Sequence, residues 1–115
     1  MHYEDFTVTS PQDGSIYHCR FRNLMTGIAP RHSDSVDVRF LVNGKTYAIA
    51  LAHPAFALFQ QRTGRSLTDT DSIRMAGLFL KGLVERGELM EGPYIPASVD
   101  QTLELAQQIR SVVFS

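Results

Sequence analysis

The sequence predicts an α+β fold: a mainly antiparallel sheet of about four strands, built from two hairpins, with three helices packed on one face. Three observations carry this. Asn43-Gly44 joins two runs of alternating apolar residues, and this pair is favoured in two-residue hairpin turns because both central positions need positive φ. Two further β-rich runs flank Pro11-Gln12-Asp13-Gly14, where proline presets φ and glycine accepts positive φ. Three later segments switch to helical spacing, each bounded by capping or terminating residues.

Residues 3 to 22 read as the first hairpin. Pairing Ser10 with Ser15 sets Val8 opposite Tyr17 and Phe6 opposite Cys19, all facing inward, with His18 and Arg20 outward. Residues 23 to 35 read as a connection, because Gly27, Pro30 and a Ser/Asp cluster interrupt any regular pattern. A connection of this length is often functional. The second hairpin follows from Val36. With Asn43 and Gly44 as its loop, Val42 faces Lys45, Phe40 faces Tyr47, Val38 faces Ile49 and Val36 faces Leu51. Asp37, Arg39 and Leu41 share the other face with Ala50, Ala48 and Thr46. Each apolar cross-strand pair contributes about 0.2–1 kcal/mol beyond Ala–Ala.

A first helix is expected from Pro54 to about Arg62, with proline at its first position and Gly64 as the left-handed terminator. A second is expected from about Asp69 to Arg86, opened by Thr68 and the acids Asp69 and Asp71, and stopped by Gly87. Ile73, Ala76, Gly77, Leu80, Leu83 and Val84 form its core stripe. Met75, Leu78, Phe79 and Gly82 form a second apolar stripe, more than a surface helix with one buried face needs. Residues 88 to 97 read as a loop, broken by Gly92-Pro93 and Pro96. A third helix is expected from Val99 to about Val113, with Ser98 and Gln101 forming a capping box.

A chain of 115 residues suits one domain spanning 1–115 with a single core. A net charge of −1 gives the molecule no general attraction to nucleic acid or to anionic membrane. Cys19 is the single cysteine, so no intrachain disulfide can form. No apolar run approaches the roughly 18 residues of a membrane span, and nothing resembles a leader, so a soluble cytoplasmic protein is expected.

The search for chemistry is negative for catalytic residues, metal ligands and cofactors. His2, His18, His32 and His53 show no metal-ligand spacing, and no HExxH, CxxC, nucleophile elbow or phosphate loop occurs. Cys19 and His18, adjacent on a strand, point to opposite faces and form no nucleophile–base pair. Asp69 and Asp71 are explained by a helix start.

Three functional expectations remain. The first is a non-enzymatic interaction module that forms a homodimer, with Met75, Leu78, Phe79 and Gly82, and the outward Leu41 and Ile16, as interface residues. The second is a binding protein or enzyme for an anionic small molecule, with its site at Arg31, His32 and His53 near the first helix. The third is nucleic-acid binding through Arg20, Arg39, Arg62 and Arg65, with His18 beside the strand arginines. It is disfavoured, because a recognition helix opening on Asp69 and Asp71 would repel phosphates.

Overall fold

Asn43 and Gly44 both take positive φ, 48° and 86°, as a type I′ turn requires. Around them the register is the expected one: Val42 with Lys45, Phe40 with Tyr47, Val38 with Ile49 and Val36 with Leu51. This hairpin lies within an α+β fold, seen in a computed structural model that describes residues 3–27, 35–89 and 94–110. Its strands are β3 (Ser35–Val42) and β4 (Lys45–Ala52). The first hairpin supplies β1 (Asp5–Thr9) and β2 (Ile16–Gly27), with Val8 opposite Tyr17 and Phe6 opposite Cys19 as expected. The Asn43 side chain joins the two hairpins: its Oδ1 accepts the His18 N–H at 2.9 Å and its Nδ2 donates to the Ile16 carbonyl at 3.2 Å.

Two expected loops contain strand. Residues 23–27 continue β2 alongside β3, so the expected connection is shorter than the sequence suggested. The pairing shifts between Phe21, opposite Phe40, and Asn23, opposite Arg39, which leaves Arg22 as the extra residue of a bulge. The bulge reverses the alternation downstream, so that Leu24 packs against the core and Met25 turns out. In the second expected loop, β5 (Tyr94–Pro96) pairs in parallel with Ala48–Ala50 of β4. The sheet therefore has five strands in sequence order, with β1 and β5 at its edges.

The helices are α1 (His53–Thr63), α2 (Asp69–Glu85) and α3 (Val99–Arg110). α1 ends on Gly64, whose φ of 71° lets its N–H reach the Gln60 carbonyl. α2 opens on a closed capping box: Thr68 Oγ1 accepts the Asp71 N–H at 3.1 Å, and Asp71 Oδ2 accepts the Thr68 N–H at 2.9 Å. Ser98 and Gln101 exchange the same pair of bonds at the start of α3, at 2.9 and 3.1 Å. Thr102, fully buried one turn further on, accepts the Ala52 N–H at 3.1 Å and so pins α3 to the end of β4.

α2 packs across β1 to β4, and α3 lies between α1 and α2. α2 and α3 run antiparallel: Arg110 at the end of α3 reaches Asp71 at the start of α2, while Glu104 and Leu105 lie beside Gly82 and Glu85 near the end of α2. The core lies between this helical layer and one sheet face, with Val38, Phe40, Ile49, Leu51, Phe59 and Leu80 fully buried. A row of edge-on aromatic contacts crosses it, Tyr3–Phe6 at 5.6 Å, Phe6–Phe40 at 6.2 Å and Phe21–Phe40 at 6.2 Å. Gly77 is required by close approach, since a Cβ there would stand 2.6 Å from the Cβ of Tyr3 and 3.0 Å from its carbonyl oxygen.

The second stripe of α2 is largely covered from within the chain. Met75 is fully buried and Phe79 is 9% exposed, so neither is free to meet a partner. α3, which packs along α2, supplies part of this cover. Leu78 and Gly82 remain half-buried.

Candidate functional site

The sheet face away from the helices is built by the alternate residues of each strand. Register places Asp5, Thr7 and Thr9 of β1 beside Arg20, His18 and Ile16 of β2. Beyond the bulge, Asn23 and Met25 lie beside Arg39 and Asp37 of β3, and Arg20 lies beside Leu41. Ala48 and Ala50 of β4 follow, flanked on β5 by Tyr94 and Pro96. The large apolar side chains that stand exposed among the described residues are Ile16 at 65%, Met25 at 48% and Tyr94 at 53%. All three project from this face.

Charge on the face is balanced and interleaved. Asp5 pairs with His18 Nε2. Asp37 accepts from the Ser35 hydroxyl at 2.8 Å, and the same hydroxyl lies 3.5 Å from the Tyr94 hydroxyl. Arg20 and Arg39 do share the face with His18, as the sequence suggested, but Asp5 and Asp37 stand among them. The result is a mixed field rather than the uniform basic stripe that holds a nucleic-acid backbone. Arg62 lies in α1 and Arg65 in the turn after it, within the helical layer rather than on this face.

The expected anion site is represented by one residue. Arg31 and His32 lie outside the described residues. His53 is the first residue of α1, is exposed, and stacks its ring on Phe56 at 5.9 Å with an interplanar angle of 12°. Stacking on the helix it opens is a sufficient structural account of its position.

Cys19 is fully buried between the hairpins, and loss of solvation pushes its thiol up to about 12 from an ordinary value near 9. The thiolate is the reactive form, so a thiol reagent at pH 8 is expected to label the native protein slowly and the urea-unfolded protein promptly. Equal rates in the two states would contradict the burial. The same shift has a stability consequence. Below about pH 9 both states hold the proton, and above it the unfolded thiol ionises first. This group therefore adds stability at neutral pH that is lost as pH rises towards about 12.

Among the described residues no group of three or more His, Cys, Asp or Glu side chains is placed to hold a metal ion. No described helix is long and apolar enough to cross a membrane. In the helical layer α2 and α3 border an open groove of about 420 Å³ beside Leu78, Phe79 and Leu105. Sequence reasoning found Ile16 and Leu41 on the sheet face but missed Met25 and Tyr94. One depends on the bulge and the other on a three-residue parallel strand. In the comparisons with known proteins, no family model, no curated protein and no solved structure matches this chain.

Proposed function

We propose that this chain is a non-enzymatic interaction module of the cytoplasm that self-associates through its helix-free sheet face. The observation that carries the reading is that the large apolar side chains standing exposed among the described residues, Ile16, Met25 and Tyr94, all lie on that one face. Exposed apolar side chains set among interleaved charges suit an interaction surface. The charge pattern suits a second copy of the same chain. An isologous contact sets the face against itself, so it needs both signs in balance, and Asp5 and Asp37 match Arg20 and Arg39.

Light scattering at micromolar concentration is expected to give twice the chain mass of 12.9 kDa. A single 12.9 kDa species across that range would contradict self-association.

A further inference from the structure

Beside the Asn43-Gly44 turn lies a cavity of about 280 Å³, lined by Tyr17, Val42, Asn43, Lys45, Tyr47 and Leu89. Register places it on the side of the sheet that faces the helices. Tyr47 lies opposite the core residue Phe40, and Lys45 opposite Val42. Tyr17 shares the parity of Cys19, which pairs with Val42. Leu89, a few residues past the end of α2, borders the cavity from the helical layer.

One wall residue is buried without being satisfied. Tyr47 is 7% exposed, yet its hydroxyl makes no hydrogen bond among the described residues. A tyrosine buried to this degree usually places its hydroxyl on a partner. The atom is not sealed in the core either, since the Arg110 Nε is the buried unpaired side-chain atom there. The small part of Tyr47 that stays accessible therefore includes the hydroxyl, and the cavity is the space it opens on. The hydroxyl of the half-buried Tyr17 is likewise without a hydrogen bond among the described residues. Neither ring stacks on another aromatic ring there. Two flat walls and two unused phenolic donors thus border one space.

Charge narrows what can enter. Lys45 is the one charged residue of the lining, and no carboxylate borders the cavity. An anion is attracted there and a cation repelled. A carboxylate accepts hydrogen bonds through both oxygens, and bonds to an ionised acceptor are the stronger kind.

We infer that this cavity is a binding site for a small aromatic carboxylate. The ring lies against the faces of Tyr17 and Tyr47, over Val42 and Leu89, and the carboxylate accepts from the phenolic hydroxyls within the field of Lys45. The size agrees: about 150 Å³ is enough to hold benzene, so this cavity has room for the ring and the charged group together. The site lies on the helix side of the sheet, opposite the self-association face, and does not depend on it.

The test is calorimetric titration of the full chain with benzoate, beside benzylammonium, which reverses the charge, and acetate, which lacks the ring. Benzoate is expected to bind saturably with a Kd near or below about 1 mM, and the two controls not to bind. Tyr47→Phe keeps the ring and removes only the hydroxyl, and is expected to weaken benzoate about tenfold. Lys45→Gln, at an exposed position, is expected to weaken it several-fold with the unfolding midpoint retained. Amide shifts on adding benzoate are expected to centre on residues 17, 42–47 and 89. No saturable binding by about 10 mM, equal binding of benzylammonium, or unchanged affinity in both variants would overturn the inference.

Discussion

Replacing Phe40 with alanine is expected to remove about 3–5 kcal/mol of stability, the largest loss from any single truncation in this chain. Phe40 is fully buried on the middle strand of the sheet. It pairs with Phe21 on one side and Tyr47 on the other. Its ring meets those of Phe6 and Phe21 edge-on, both at 6.2 Å, and such contacts add about 0.5–1.5 kcal/mol each beyond burial. The strands on either side are held by ladder hydrogen bonds and cannot collapse into the space left behind. Urea unfolding is the measurement: the midpoint should fall sharply while the slope is retained. Native domains are stable by only about 5–15 kcal/mol, so this variant sits near the folding threshold. A loss below about 1 kcal/mol would mean that the aromatic row is not the centre of the core.

Asp71→Ala is expected to cost about 2–3 kcal/mol, a large effect for a residue at a helix start. Its carboxylate closes the capping box by accepting the Thr68 N–H. The same Oδ2 faces Arg110 Nη1 at 3.9 Å, which ties the end of α3 to the start of α2. Asp71 is 4% exposed, and Arg110 Nε is already buried without a partner. Alanine therefore orphans one backbone donor and leaves a guanidinium without its counter-charge. The 31% exposure of the Arg110 side chain keeps the cost below that of breaking a fully buried pair. Asp71→Asn, which keeps an acceptor but not the charge, should fall between wild type and alanine in the same urea assay. An asparagine variant as unstable as the alanine variant would assign the whole effect to charge and none to the cap.

What the sequence makes legible follows from how local each signal is. The Asn43-Gly44 register, the Thr68 and Ser98 caps and the Gly64 stop all depend on residues within a few positions of one another, and each is found in place. The bulge at Arg22 leaves no local mark, because continuing the alternation across 23–27 is equally compatible with those residue types. β5 has three residues, the last of them a proline, and gains its pairing from β4, more than forty residues earlier in the chain. The cover over Met75 is likewise a long-range fact, since periodicity shows that a stripe is apolar but not which helix buries it. The candidate interface was therefore half legible: Ile16 and Leu41 follow from strand parity, whereas Met25 and Tyr94 do not.

The same placement gives the proposed interface its experimental advantage. Ile16, Met25 and Tyr94 are the exposed large apolar side chains among the described residues, so changing them leaves the buried row of Val38, Phe40, Ile49 and Leu51 untouched. The most direct measurement is sedimentation equilibrium of the wild type beside a variant with lysine at positions 16, 25 and 94. The account predicts a wild type of twice 12.9 kDa and a variant of 12.9 kDa that still unfolds cooperatively. A variant that sediments at the wild-type dimer mass would contradict it.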